Sequence, residues 1–166
     1  DRAAGVPRHE LEQSNELSIY TTPPSPVDLR RALEIVQPKI VYVFAVPPAE
    51  DKPEEFLSHL TGLCKYVLNQ RRGKVGIQEL ASAMAARESA GRGVLEWLAA
   101  VVHGSVVSEG VVASEGEALT LSKGNGEVNQ YLQKELYTAV KGILEETAAY
   151  RAHFSKADIN NLIVPG

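Results

Sequence analysis

The sequence predicts an α/β fold in which a small βαβ-type subdomain is followed by a winged-helix-like subdomain and a long C-terminal helix. Three observations predict it: two β-prone runs flank a capped helical segment, a later stretch has the order helix, helix, hairpin, and the strongest helical periodicity lies near the C-terminus. We expect a linker over residues 1–16, the α/β subdomain over 17–72, the winged-helix-like subdomain over 73–124, and a helical segment over 125–166 that packs on both.

The βαβ unit is predicted from residues 17–46. Residues 17–20 are β-prone and end in a proline-rich stretch that forbids a continuing strand. Ser25 suits an N-cap, with Pro26 at the first helical position and Asp28 three residues after the cap, so we expect a helix over about residues 26–36. Residues 39–46 are apolar without polar alternation, which is typical of a strand covered on both faces.

A helix over about residues 53–71 should cover that sheet. Its apolar residues fall on one stripe that includes Cys64, which we interpret as a small buried hydrophobe. A single cysteine excludes an internal disulfide and a multi-cysteine metal site, and it is consistent with a reducing compartment, so we expect a cytoplasmic protein.

The following region predicts a helix-turn-helix and a hairpin. Helical spacing over 77–85 and 94–102 is separated by the turn-like stretch 86–93, and β-prone segments over 105–113 and 118–121 flank a turn. We expect a long amphipathic helix over about 128–149, with residues 150–154 leaving it. A short helix capped by Ser155 should follow over 155–163.

The composition limits the chemistry that the chain supports. The net charge of -4 gives no general attraction to a polyanion, and the longest apolar run, of seven residues, is too short to span a bilayer. The four histidines lie tens of residues apart without nearby partner ligands, so we expect no metal site and no cofactor. The stretch from Gly73 to Gly76 lacks phosphate-loop spacing. We therefore expect that this chain is not an enzyme.

Positive charge is concentrated around the helix-turn-helix, where residues 65–97 hold six basic and three acidic side chains. These basic residues are candidates for phosphate contacts. The alternative is a packing or protein-docking role, because the expected wing over 105–121 is acidic and repels phosphate. The candidate nucleic-acid-binding residues are Arg71, Arg72, Lys74, Arg87 and Arg92.

Several segments of the sequence resemble those of a known protein family. They are Ile19-Tyr-Thr-Thr-Pro-Pro-Ser-Pro-Val-Asp-Leu29, Gln37-Pro-Lys-Ile-Val-Tyr-Val-Phe44, Glu55-Phe-Leu-Ser-His-Leu60 and Leu144-Glu-Glu-Thr-Ala-Ala-Tyr-Arg-Ala-His-Phe154. Together with the order of elements, they resemble the C-terminal accessory domain of RecJ-type single-stranded-DNA-specific exonucleases. The resemblance spans about residues 17–163, and it rests on the pattern of hydrophobic residues and the order of elements rather than on catalytic motifs.

The resemblance implies that the parent is a 5′-to-3′ exonuclease of the DHH phosphoesterase superfamily, acting in DNA repair and recombination. Its divalent metals, typically manganese, would be held by Asp and His residues of N-terminal domains. No Asp-His-His or Gly-Gly-Gly-His segment occurs in this chain, so no catalytic or metal-binding residue carries over. The implied role is to assist engagement of single-stranded DNA or to dock repair proteins such as a single-strand-binding protein or a helicase. A structural or protein-interaction module without nucleic-acid contact is the alternative.

Overall fold

The structure, a computed structural model, describes residues 5–48, 52–101, 105–112, 116–122, 130–158 and 162. It is mixed α/β, as predicted. Strand β1 (Glu16–Thr21), helix α1 (Pro26–Val36) and strand β2 (Ile40–Val46) form the expected βαβ unit, in which the two strands pair in parallel. Ser25 caps α1 as predicted, because its Oγ accepts a hydrogen bond from the Asp28 amide at 3.1 Å.

The β1–β2 sheet is covered on one face only, so the prediction that β2 is covered on both faces is wrong. Exposed and half-buried residues alternate along β2, from exposed Ile40 to exposed Val46. A two-stranded sheet with a single crossover helix has one face to pack against that helix, and its second face needs another element. The helix that we expected to supply this cover packs elsewhere.

The second part of the chain has the order helix, strand, helix, helix, hairpin. It comprises α2 (Pro53–Gln70), β3 (Lys74–Gly76), α3 (Ile77–Ala83), α4 (Glu88–Val101), β4 (Ser105–Val112) and β5 (Gly116–Ser122). The three strands form an antiparallel sheet in the order β3-β5-β4, which confirms the predicted hairpin and adds a short strand that the sequence did not reveal. Within the described residues, this sheet and the βαβ pair are separate.

Helix α4 begins at Glu88, six residues earlier than predicted, so the turn-like interpretation of residues 86–93 is wrong for most of that stretch. Glycine disfavours a helix interior, and two glycines in this stretch suggested a turn. In the fold they permit close packing. A Cβ on Gly93 would lie 3.0 Å from Val140 Cγ2, and a Cβ on Gly91 would lie 3.5 Å from Ile77 Cδ1.

The main hydrophobic core lies between α2, α3, α4, the second sheet and the C-terminal helix. The apolar stripe of α2, including Phe56, Leu60 and Cys64, is buried in this core, which corrects the expectation that it covers the β1–β2 sheet. The buried cluster includes no residue of β1, α1 or β2 among those that the structure describes. Its other members come from β3, α3, the α3–α4 turn, α4, β5 and the C-terminal helix, among them Val75, Leu80, Val94, Leu119 and Val140.

Helix α5 (Gln130–Phe154) is longer than predicted, because residues 150–154 continue it rather than leaving it. Its apolar stripe is buried at Val140 and Leu144, whereas Tyr131 and Leu132 near its start are exposed. The prediction of a short helix over 155–163 capped by Ser155 is wrong at its start, because residues 155–158 form a turn after α5 and the Ser155 Oγ donates to the Arg151 carbonyl at 2.9 Å. Residues 159–161 and 163 lie outside the described residues. A 3-10 turn (Arg8–Glu10) lies in the stretch that we expected to be a linker.

Candidate functional site

Three of the five predicted basic residues lie at the turn between α2 and β3. Arg71, Arg72 and Lys74 are exposed there, and Arg71 forms an ion pair with Glu79 in the first turn of α3. The turn is fixed by Gly73, which has a left-handed φ of +83° and whose carbonyl accepts from the Leu121 amide at 2.8 Å. A Cβ on Gly73 would lie 2.1 Å from the Leu121 carbonyl oxygen, so only glycine fits.

Arg87 and Arg92 lie elsewhere, after the last turn of α3. Arg87 is turned into the molecule: its Nε donates to the Pro24 carbonyl at 3.2 Å, and its Nη1 lies 3.0 Å from Glu146 Oε2. Arg92 is half-buried on α4. The structure thus groups Arg71, Arg72 and Lys74 at one turn and does not bring Arg87 to them.

Arg87 belongs to a set of three arginines, Arg8, Arg87 and Arg151, that we call the arginine junction. The Arg151 side chain is 5% exposed, and its guanidinium donates to the Thr22 carbonyl at 3.3 Å and to the Ala85 carbonyl. Arg8 donates to the Ala86 carbonyl, and its Nη1 lies 3.2 Å from Asp28 Oδ1. The junction therefore joins the βαβ unit to the α3–α4 turn and to α5.

The proline-rich loop after β1 explains why guanidinium groups meet there. Proline has no N–H to donate, but its carbonyl still accepts, so a loop with several prolines offers more acceptors than donors. Arginine presents five donors and no acceptor. Arg151 donates to the Thr22 carbonyl of this loop, and Arg87 donates to the Pro24 carbonyl. The same absence of donors argues against phosphate binding by this loop.

The sequence analysis missed Arg151 and Arg8. A signal for Arg151 was present: it lies in phase with the buried stripe of α5, seven residues after Leu144 and three before Phe154, where a charged side chain is out of place unless it has partners. No comparable periodicity marks Arg8, which lies in an irregular stretch.

Helix α4 corresponds to the second helix of the predicted helix-turn-helix, and it is packed on two sides. Ala90, Val94 and Leu95 are buried in the main core, and Gly93 faces Val140 of α5. On the remaining surface, Ser89 and Glu96 are exposed, while Glu88 lies 3.4 Å from Arg31 of α1. This helix is therefore part of the interior on the side that meets α5.

A polar cavity of about 230 Å³ lies between the 3-10 turn, α1, α3 and α4. Two ion pairs, Arg8 with Asp28 and Arg31 with Glu88, line it. Burial lowers the pKa of Arg8, and the Asp28 carboxylate opposes that shift. His9 Nδ1 and Ser82 Oγ also lie in this region without a hydrogen-bond partner in the described structure.

The other reactive side chains of the described residues do not converge on a metal site or around an activated nucleophile. Among the described residues, no group of three or more His, Cys, Asp and Glu side chains is placed to hold a metal ion. Burial raises the pKa of the Cys64 thiol to about 11, so it is a poor nucleophile at neutral pH. Within the same residues, no helix is both long and apolar enough to cross a lipid bilayer.

The uncovered face of the β1–β2 sheet carries the largest group of exposed apolar side chains in the βαβ unit. Tyr20 is 66% exposed, Phe44 61% and Tyr42 46%, and Ile40 and Val46 flank them. The rings of Tyr20 and Phe44 lie 6.0 Å apart at an interplanar angle of 44°. We call Tyr20, Tyr42 and Phe44 the aromatic face.

Comparison with known proteins identifies no relative: no protein-family model, no curated protein and no solved structure matches the chain.

Proposed function

We propose that this chain is a non-catalytic accessory domain of a RecJ-type single-stranded-DNA-specific exonuclease, which assists engagement of single-stranded DNA or docks repair proteins. The resemblance over residues 17–163 supports the family. The element order α2-β3-α3-α4-β4-β5, with strand order β3-β5-β4, supports a winged-helix subdomain within it. The catalytic step and its manganese ions belong to the parent's other domains.

The position of α4 carries the proposal that this domain does not read duplex DNA. In helix-turn-helix proteins the second helix enters the major groove. Here α4 is packed against the main core and against Val140 of α5, and its exposed surface presents Ser89 and Glu96 rather than a row of cations. Among the described side chains on the accessible side of α4, half-buried Arg92 is basic and exposed Glu96 is acidic, which disfavours insertion of this helix into a groove. We therefore assign the DNA contact to single strands.

The exposed basic side chains of the α2–β3 turn, together with half-buried Arg92 of α4, are the first candidates for phosphate contacts. A mobility-shift titration of the domain with single-stranded and duplex oligonucleotides tests them at several salt concentrations. Alanine substitution of Arg71, Arg72, Lys74 and Arg92 together should weaken single-strand binding and flatten its salt dependence. Arg87 is kept because it holds the arginine junction.

A matched control removes the same charge from other exposed positions, Arg30, Lys134, Lys141 and Lys156. It should retain the salt dependence of the unmodified domain. Equal weakening by both sets would contradict a localised phosphate-binding turn, because it would reflect net charge alone.

The assignment to an exonuclease is tested by the open reading frame that encodes the chain. An Asp-His-His metal-binding block upstream of Asp1 is the expected result. An upstream sequence without any such block would overturn the assignment.

A protein-docking module without nucleic-acid contact is the second candidate. It is favoured by the surface of α4, where Glu88 is paired with Arg31 and Glu96 is exposed, so that this side is unsuited to phosphate. Pull-down with a single-strand-binding protein and a helicase tests it. Absence of binding, together with full activity of a parent that lacks this domain, would contradict it.

A further inference from the structure

The aromatic face is unusual in its composition. Three of the five exposed apolar residues on this side of the sheet are aromatic, and all three are about half exposed or more. Exposed aromatic rings on a β-sheet are the surface on which sheet-based single-strand-binding proteins stack unpaired bases. Strands β3 and β5 of the second sheet offer a contrast, because their large apolar residues Val75, Leu119 and Leu121 are buried.

The arrangement of the rings suits two or three successive bases. Tyr42 and Phe44 are two residues apart on β2, which places their side chains on the same face about 6.6 Å apart. Tyr20 projects beside Phe44 from the neighbouring strand, with 6.0 Å between ring centroids. The rings therefore form an L-shaped group rather than a single line.

The size of the face argues against a protein as its occupant. The exposed parts of Tyr20, Ile40, Tyr42, Phe44 and Val46 amount to on the order of 500 Å², whereas a stable protein interface buries about 800 Å² on each partner. The face is therefore too small for a stable interface with a second copy of the chain. Its area matches that of two or three stacked bases.

The charges around the face predict how the binding would depend on salt. Glu16 and Lys39 lie at the same end of the strand pair, where Glu16 is paired in register with Ile40, and they offset each other. Ser18 is the remaining exposed residue of β1 on this side. Binding here would depend on ring contact rather than on phosphate attraction, so its salt dependence would be shallow.

We propose that Tyr20, Tyr42 and Phe44 form a base-stacking platform for single-stranded nucleic acid. This inference rests on the proposed function, in which a single strand is the ligand of the domain. It assigns the contacts with the bases to the βαβ unit and leaves the salt-dependent phosphate contacts to the basic side chains of the α2–β3 turn.

Fluorescence anisotropy with a short labelled oligothymidylate tests the platform. Single changes Tyr20→Ala, Tyr42→Ala and Phe44→Ala should each weaken binding by roughly 5-fold to 150-fold, the range given by loss of one base–aromatic stack. The conservative set Tyr20→Phe, Tyr42→Phe and Phe44→Tyr keeps the rings and should keep the affinity. Thermal melting of each variant confirms that the exposed substitutions leave the fold intact.

The matched control changes Tyr66 and Tyr131, two exposed rings away from this sheet, to alanine. It should bind as the unmodified domain does. Unchanged binding after loss of the platform rings, or an equal loss in the control, would overturn the inference while leaving the proposed function to its own test on the upstream reading frame. Absence of oligothymidylate binding, or concentration-dependent self-association that the alanine changes abolish, would overturn it in the same way.

Discussion

Strand β2 of the first sheet and strands β3 and β5 of the second are similarly apolar, but they lie in opposite environments. In the β3-β5-β4 sheet, Val75, Leu119 and Leu121 are buried beneath α2 and α3, whereas β2 of the βαβ unit exposes Ile40, Tyr42 and Phe44. The difference comes from the helices: α2 joins the main core and is unavailable to the first sheet. The polar contacts of the arginine junction link the βαβ unit to the α3–α4 turn and to α5. Apolar composition thus predicts a strand but not the element that covers it.

The largest effect should follow from a charge in the main core. Val140→Asp would bury a carboxylate at a position that is 1% exposed and in contact distance of Gly93, so we expect loss of more than about 4 kcal/mol and no cooperative folding. Urea denaturation followed by circular dichroism checks it. Ala139→Asp, at the adjacent exposed position, should cost about 0.5–1 kcal/mol, mainly from the lower helix propensity of aspartate. A stable Val140→Asp variant would show that α5 is not integral.

The difference in burial between the main core and the β1–β2 sheet is tested by truncating one large apolar side chain in each. Leu60→Ala removes a fully buried side chain of the main core and should reduce the free energy of unfolding by about 2–5 kcal/mol. Phe44→Ala removes a ring that is 61% exposed and should cost less than about 1 kcal/mol. Equal losses in the two variants would mean that the first sheet face is covered in solution.

Loss of Arg151 should weaken the attachment of the βαβ unit to the rest of the molecule. Arg151→Met leaves the carbonyls of Thr22 and Ala85 without this donor, and we expect a loss of about 2–4 kcal/mol. Hydrogen exchange should increase in β1, α1 and β2 more than in α2. Arg30→Met, on the exposed side of α1, is the control and should have little effect. A uniform increase across both regions would contradict a local role.

The buried thiol should give the smallest effect, and one confined to alkaline pH. Burial raises the Cys64 pKa from 9.0 to about 11, so the folded chain favours the protonated thiol. Its contribution to stability is fully present below pH 9 and is lost as the pH rises towards 11. Compared with a Cys64→Val variant, the unmodified chain should lose stability over that range. Identical pH profiles would show that the thiol is not desolvated.

The sequence was sufficient for elements that are specified locally. The N-cap Ser25, the following Pro26 and the apolar spacing of α1 all act within a few residues, and the helix bounds agree with the prediction. The hairpin was predicted for the same reason, since alternating β-prone segments flank its turn.

The remaining features depend on contacts between distant residues. Of the two glycines that suggested a turn at the start of α4, Gly93 is explained by the close approach of Val140, which is 47 positions away in the chain. The three-residue strand β3 is too short for a sequence pattern, and it is defined by pairing with β5. Arg87 was selected for its charge, whereas its carbonyl partner at Pro24 is set by tertiary structure. The role of Arg71, Arg72 and Lys74 stays a prediction.

The contact between Arg151 and the Thr22 carbonyl joins residues that are 129 positions apart in the chain. A ribosome adding 5–20 residues per second would finish the first strands on the order of ten seconds before the side chain that secures them. Throughout that interval the nascent N-terminal segment must present its tyrosines and phenylalanine without its final attachment. The late synthesis of Arg151 therefore affects the nascent chain, whose exposed rings are accessible to chaperones during translation, rather than the equilibrium stability of the finished fold.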